Sequence, residues 1–127
     1  MTTCTERRKI PMKPQDVTNG PGEHAIFMVF GLRDEEGALN QVKEMCADFP
    51  VVARSLRTRL PASAVSCVMG FGSEAWDRLF PGRGKPKELE VFREIRGAKH
   101  TAVSTPGDLF FHIRAARMDV CHEAASI

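Results

Sequence analysis

Ten residues near the end of the chain, "DLFFHIRAAR" at 108–117, constrain its fold most. Leu109, Phe111, Ile113 and Ala115 alternate there with Phe110, His112, Arg114 and Ala116. Side chains of a strand point alternately to its two faces, so this period of two puts an apolar row on one face and a mixed row on the other. An apolar sheet face needs a second layer to cover it.

The rest of the chain supplies candidate layers. "HAIFMVFG", 24–31, is a short apolar run that reads as a buried strand. "AVSCVMGFG", 64–72, is a second strand, with Val65, Cys67, Met69 and Phe71 sharing one face. Between them, Leu39, Val42, Cys46 and Phe49 recur at helical spacing, with Asp34 or nearby acids at the start. Pro50 is expected to interrupt this helix, with Val52 and Leu56 on a second helical piece that ends before Pro61. "SEAWDRLF" predicts a short helix with Ser73 as N-cap and Ala75, Trp76, Leu79 and Phe80 on its apolar side. "PGRGKPKE" is a loop by composition, and residues 88–106 read as mostly irregular. "DVCHEAASI" opens a last helix, with Asp119 a candidate cap and Val120, Cys121 and Ala124 on the apolar side.

This order predicts an α+β class and a ferredoxin-like βαββαβ antiparallel sheet with helices on one face. In that motif a fourth strand follows the last helix. No such strand is expected here, so the domain at 23–127 reads as incomplete at its C-terminus, a truncation. Residues 1–22, rich in Pro, Gly, Thr and charge, read as a flexible leader.

Composition narrows the function classes. A chain of 127 residues suits one domain. A net charge of +2, with basic residues interspersed among acids, argues against nucleic acid. One tryptophan and no tyrosine leave few platforms for stacked bases. No apolar run is long enough for a membrane span, and the N-terminus lacks the apolar core of a signal peptide. Cys4, Cys46, Cys67 and Cys121 are widely spaced without a CxxC pair, which fits reduced thiols in the cytoplasm and no zinc motif.

Three stretches resemble one family, the dye-decolorizing (DyP-type) heme peroxidases. "GEHAIFMVFGL" looks like the first strand of that family's N-terminal ferredoxin-like half. "SCVMGFGSEAWDRLF" is similar to its second strand with the following Phe-Gly-x-x-x-Trp helix start. "GDLFFHIRAARMDVCHEAA" is the most specific: Asp108-Leu109, His112-Ile113-Arg114-Ala115, then Arg117, Asp119 and Cys121 follow the family pattern. The resemblance covers roughly residues 22–127, in order.

The resemblance implies peroxide-dependent oxidation of dyes, phenolics or porphyrin-like substrates by the complete protein, with heme b as cofactor. It also implies that the distal aspartate, carried by Gly-x-x-Asp-Gly, lies beyond Ile127, as do the distal arginine and the proximal histidine. No Gly-x-x-Asp-Gly occurs in this sequence. Catalytic, heme-binding and metal residues are therefore expected to be absent, and this chain alone is expected to bind no heme and to be inactive. The partners implied are the C-terminal peroxidase half and further copies in a homo-oligomer.

Individual residues leave alternatives open. His112 and Arg114 share a strand face with Phe110. They either meet the partner domain or the heme-pocket wall, or form a hydrogen-bonded structural pair, the commoner situation inside a strand. Cys121 and His122 are adjacent on a helix and point about 100° apart, which disfavours a shared metal. His24 and His100 stand alone. Trp76 reads as a packing anchor, and "PGRGKPK" lacks the Gly-Lys-Ser/Thr of a phosphate loop. The competing function is a non-catalytic ferredoxin-like module for oligomerization or binding. A weaker third reading is a small heme or metal carrier that uses its histidines.

Overall fold

A computed structural model describes residues 14–20 and 22–127. Its main sheet has three antiparallel strands in the order β1-β5-β2: β1 is His24–Phe30, β2 is Ser66–Phe71 and β5 is Leu109–Ala115. Register pairs Phe27 with His112 across β1 and β5, and Val68 with His112 across β2 and β5. The alternating stretch that dominates the sequence is thus the central strand. Position beside β1, where the fourth strand of a βαββαβ motif sits, is an open edge among the described residues.

Helices α1 (Ala38–Arg59), α2 (Ser73–Leu79) and α3 (Met118–Ser126) cover one face. Leu109, Phe111, Ile113 and Ala115 are all buried beneath them, as the alternation predicts. Ala53 and Leu56 of α1 and Val120 and Cys121 of α3 meet Val65, Cys67, Ile113 and Ala115 in one cluster. Ala75 and Leu79 of α2 meet Leu109 and Phe111 in the other. Among the described residues no helix is long and apolar enough to cross a membrane.

Several local expectations are corrected. Helix α1 runs through Pro50 without a break. Proline removes one backbone hydrogen bond and crowds the preceding turn, at a cost of about 3 kcal/mol. The apolar stripe continues past it from Phe49 to Val52, Ala53 and Leu56, and burial of that stripe on the sheet offsets the cost. Helix α1 starts after Gly37 in a left-handed conformation (φ 81°) with no side-chain cap, while Asp34 pairs with Arg78 at 2.8 Å. Ser73 is not a cap either: Gly72 holds that position, and the Ser73 hydroxyl donates to the Leu89 carbonyl at 3.1 Å. Asp119 lies inside the first turn of α3, with Arg117 as N-cap, and its carboxylate accepts from the Arg117 guanidinium at 3.0 Å. Residues 88–106 are mostly irregular, as expected, apart from a small hairpin of β3 (Ile95–Arg96) with β4 (Thr101–Ala102).

The leader also differs from expectation over its described part. Residues 15–20 form a strap bonded to the sheet. Residues 1–13 lie outside the described residues.

Candidate interface on the open sheet face

The face opposite the helices carries Ala25, Phe27 and Val29 of β1, Phe110, His112 and Arg114 of β5, and Ser66, Val68 and Gly70 of β2. The mixed row read from the sequence occupies its centre. The structure divides this face into two ends.

At one end the strap lies over Arg114, whose residue is only 5% exposed. Its Nη1 donates to the carbonyls of Asn19 (2.6 Å) and Gly20 (2.9 Å), and its Nη2 donates to the Asp16 carbonyl (2.7 Å) and the Ser66 hydroxyl (3.2 Å). The Asp16 carboxylate stands 3.9 Å from Nη2. A planar guanidinium suits this task because its fixed fork reaches several carbonyls at once. Further along the strap, Gln15 Oε1 accepts the Met69 N–H at 2.7 Å, and Gln15 Nε2 donates to the Met69 carbonyl at 2.9 Å. No local pattern in the sequence signals Gln15, since its partner is 54 residues away.

At the other end Phe27, Val29 and Phe110 are exposed. The Phe27 ring stacks on the His112 imidazole and lies 6.1 Å from the Phe110 ring. Desolvation pushes the His112 pKa below the ordinary histidine value, and the nearby Arg114 charge pushes it further the same way. The result is an apolar patch with the His112 imidazole at its centre. Such a patch is suited to association. The two residues singled out from the sequence therefore part company: Arg114 faces the strap, and His112 stays on the open patch.

Asp108 has a structural role that sequence reasoning missed. Its Oδ2 accepts the Leu32 N–H at 2.6 Å, its N–H donates to the Phe30 carbonyl at 2.9 Å, and its carbonyl accepts the Gly72 N–H at 2.8 Å. One residue thus ties the exit of β1 to the exit of β2. The backbones approach so closely that a Cβ on Gly72 would fall 2.3 Å from the Gly107 carbonyl oxygen.

The remaining candidates are dispersed. Cys121 is fully buried with its thiol 3.6 Å from the His24 carbonyl, while His122 lies on the exposed side near Ser126. Burial raises the thiol pKa of Cys46, Cys67 and Cys121. Trp76 packs on Phe80 and Phe71, and Lys85 of the 81–87 loop pairs with Asp77 at 2.7 Å. Heme would need an axial ligand facing a cavity. Two surface depressions, of about 510 and 460 Å³ beside Ser73 and Leu89, carry no histidine or cysteine. No three or more His, Cys, Asp or Glu among the described residues are placed to hold a metal. Neither depression offers an axial ligand for a heme.

The family model described as "Dyp-type peroxidase, N-terminal" matches residues 14–127. The chain is 46% identical over 118 residues to a dye-decolorizing peroxidase of Rhodococcus erythropolis, covering 93% of this chain and 34% of that protein. It is similar to the crystal structure of a dye-decolorizing peroxidase from Bacteroides thetaiotaomicron, at 56% identity and a TM-score of 0.85, over 89% of this chain and 37% of that one. A variant of DypB from Rhodococcus jostii RHA1 in complex with heme matches at 36% identity and a TM-score of 0.80, over 90% of this chain and 37% of that one. The chain spans about a third of the length of these relatives.

Proposed function

This chain belongs to the dye-decolorizing peroxidase family, matching its N-terminal part, and on that premise we propose that it is the N-terminal ferredoxin-like domain of a heme peroxidase. The complete protein would reduce hydrogen peroxide with heme b and oxidize dyes, phenolics or porphyrin-like compounds. The remaining two thirds of the fold would supply the heme ligand and the distal residues. This domain would supply a scaffold: the open edge of β1 for a further strand, and the patch of Phe27, Val29, Phe110 and His112 for the partner half. The observation that carries the reading is the family match over 14–127. A cytoplasmic location fits the free thiols of Cys46, Cys67 and Cys121.

Complementation tests this. The chain is produced with the C-terminal two thirds of the Bacteroides thetaiotaomicron relative as a separate polypeptide, with heme supplied. Co-purification, a Soret band and peroxide-dependent dye oxidation are expected from the pair and from neither part alone. Failure of the two parts to associate would overturn the reading.

The exposed apolar patch also favours a second reading, self-association as a homo-oligomer. Sedimentation at several concentrations of the chain alone distinguishes it, since a monomer at all concentrations would exclude it.

A further inference from the structure

The strap over Arg114 contains the sequence's single asparagine–glycine bond, Asn19–Gly20. Arg114 Nη1 holds the carbonyls on either side of it, at 2.6 Å from Asn19 and 2.9 Å from Gly20. Asn19 also donates to the Asp16 carboxylate, from Nδ2 at 2.7 Å and from its backbone N–H at 3.3 Å. Upstream, Gln15 occupies the N–H and C=O of Met69 on β2. Asn19 and Gly20 are themselves exposed.

An asparagine followed by glycine can close into a five-membered ring, because the next backbone nitrogen lies within reach of its side-chain carbon. Glycine has no Cβ to shield that nitrogen. A Cβ on Gly20 would meet nothing within 4 Å, so the approach is open. Among the described residues the Gly20 N–H has no acceptor. The Arg114 guanidinium, bonded to the Asn19 carbonyl, draws electron density from that peptide group. A cation placed there makes the Gly20 N–H easier to deprotonate.

We propose that Asn19–Gly20 is a site of spontaneous modification, and that its conversion to aspartate and isoaspartate unfastens the strap from Arg114 and Met69. The Gly20 N–H gives its proton to solvent, and the nitrogen attacks Asn19 Cγ. The Cγ–N bond forms, the Cγ–Nδ2 bond breaks, and ammonia leaves with a proton taken back from solvent. Water then opens the imide. Opening at Cγ leaves aspartate, and opening at the main-chain carbonyl leaves isoaspartate. Either product loses the Nδ2 donor and adds a carboxylate to the strap beside Asp16. Like charges at that separation repel. The Nη donors of Arg114 are already committed to four acceptors, so no free donor on them meets the new charge. Isoaspartate also lengthens the backbone by one carbon, and the spacing of the two carbonyls held by Nη1 is lost. The inference rests on the strap alone and is independent of the peroxidase reading.

The test ages the 127-residue chain in mildly alkaline buffer, folded and, in parallel, unfolded in urea. Peptide mass at Asn19, isoaspartyl labelling and amide exchange at Met69 are the readouts. The folded chain is expected to convert at Asn19 on the timescale of the unfolded one. Its converted fraction is expected to exchange the Met69 amide about tenfold faster than the unconverted fraction. Gly20→Ala fits the open space and needs no left-handed backbone, but it shields the nitrogen. That variant should keep its mass and its slow exchange over the same period. An Asn19 that stays intact in the folded chain while the unfolded chain converts would overturn the proposal. So would conversion that leaves Met69 exchange slow, or a Gly20→Ala chain whose Met69 amide speeds up with age as the wild type's does. If Gly20→Ala does not fold, the wild-type time course decides by itself.

Discussion

The imidazole of His112 lies flat against the ring of Phe27, with centroids 4.3 Å apart and planes 15° apart. β1 and β5 bring these residues opposite each other in the sheet register. Desolvation, and after it the nearby Arg114 charge, disfavour the protonated imidazole, so the folded pKa falls below the ordinary 6.5. Between the lowered value and 6.5 the unfolded chain binds more protons, so folding stability rises with pH there. The His112 contribution is complete above pH 6.5 and is lost as pH falls from there through the folded value. His112→Gln should flatten the acid side of a melting-temperature profile below about pH 6.5. Identical profiles for variant and wild type would contradict this.

Phe111 is 4% exposed and meets Phe49 of α1 edge-on, with centroids 5.1 Å apart. Phe111→Ala opens a cavity between sheet and helices. Chemical denaturation should show a loss of about 3–5 kcal/mol. A loss below about 1 kcal/mol would mean that the site is not core.

Arg114→Lys replaces a planar fork with a single ammonium. The ammonium cannot keep the bonds to Asp16, Asn19, Gly20 and Ser66 in their present geometry. The expected loss is about 1–3 kcal/mol, with faster proteolysis within residues 14–20. Unchanged proteolysis would show that the strap is held without Arg114.

Gly72→Ala forces a methyl group to within 2.3 Å of the Gly107 carbonyl oxygen. Relief requires the Gly72–Asp108 backbone bond to stretch, and overpacking of this kind costs about 1–3 kcal/mol. Thermal unfolding of the variant should begin well below that of the wild type. Equal stability would show that the two exits move apart freely.

The 127-residue chain should oxidize dye with peroxide no faster than free heme does. The two depressions beside Ser73 and Leu89 carry no histidine or cysteine that could ligate the cofactor. Turnover well above free heme, with heme supplied, would refute this.

The alternating run 108–117 determined the central strand and its buried row, because a period of two leaves one face wholly apolar whatever surrounds it. Local apolar pattern likewise located β1, β2 and the three helices to within a few residues. The resemblance rested on the same stretches, and the match over 14–127 bears it out. Tertiary structure decided the rest. Pro50 looks like a stop when only its own turn is considered, but burial of the stripe beyond it carries the helix through. Arg114 and His112 have the same spacing and strand face, yet one is buried under the strap and the other is left on the open patch. Gln15 and Asp108 form hydrogen bonds across 54 and 76 residues of chain. Such partners are fixed by where the folded backbone brings unpaired N–H and C=O groups, and no local pattern encodes that position.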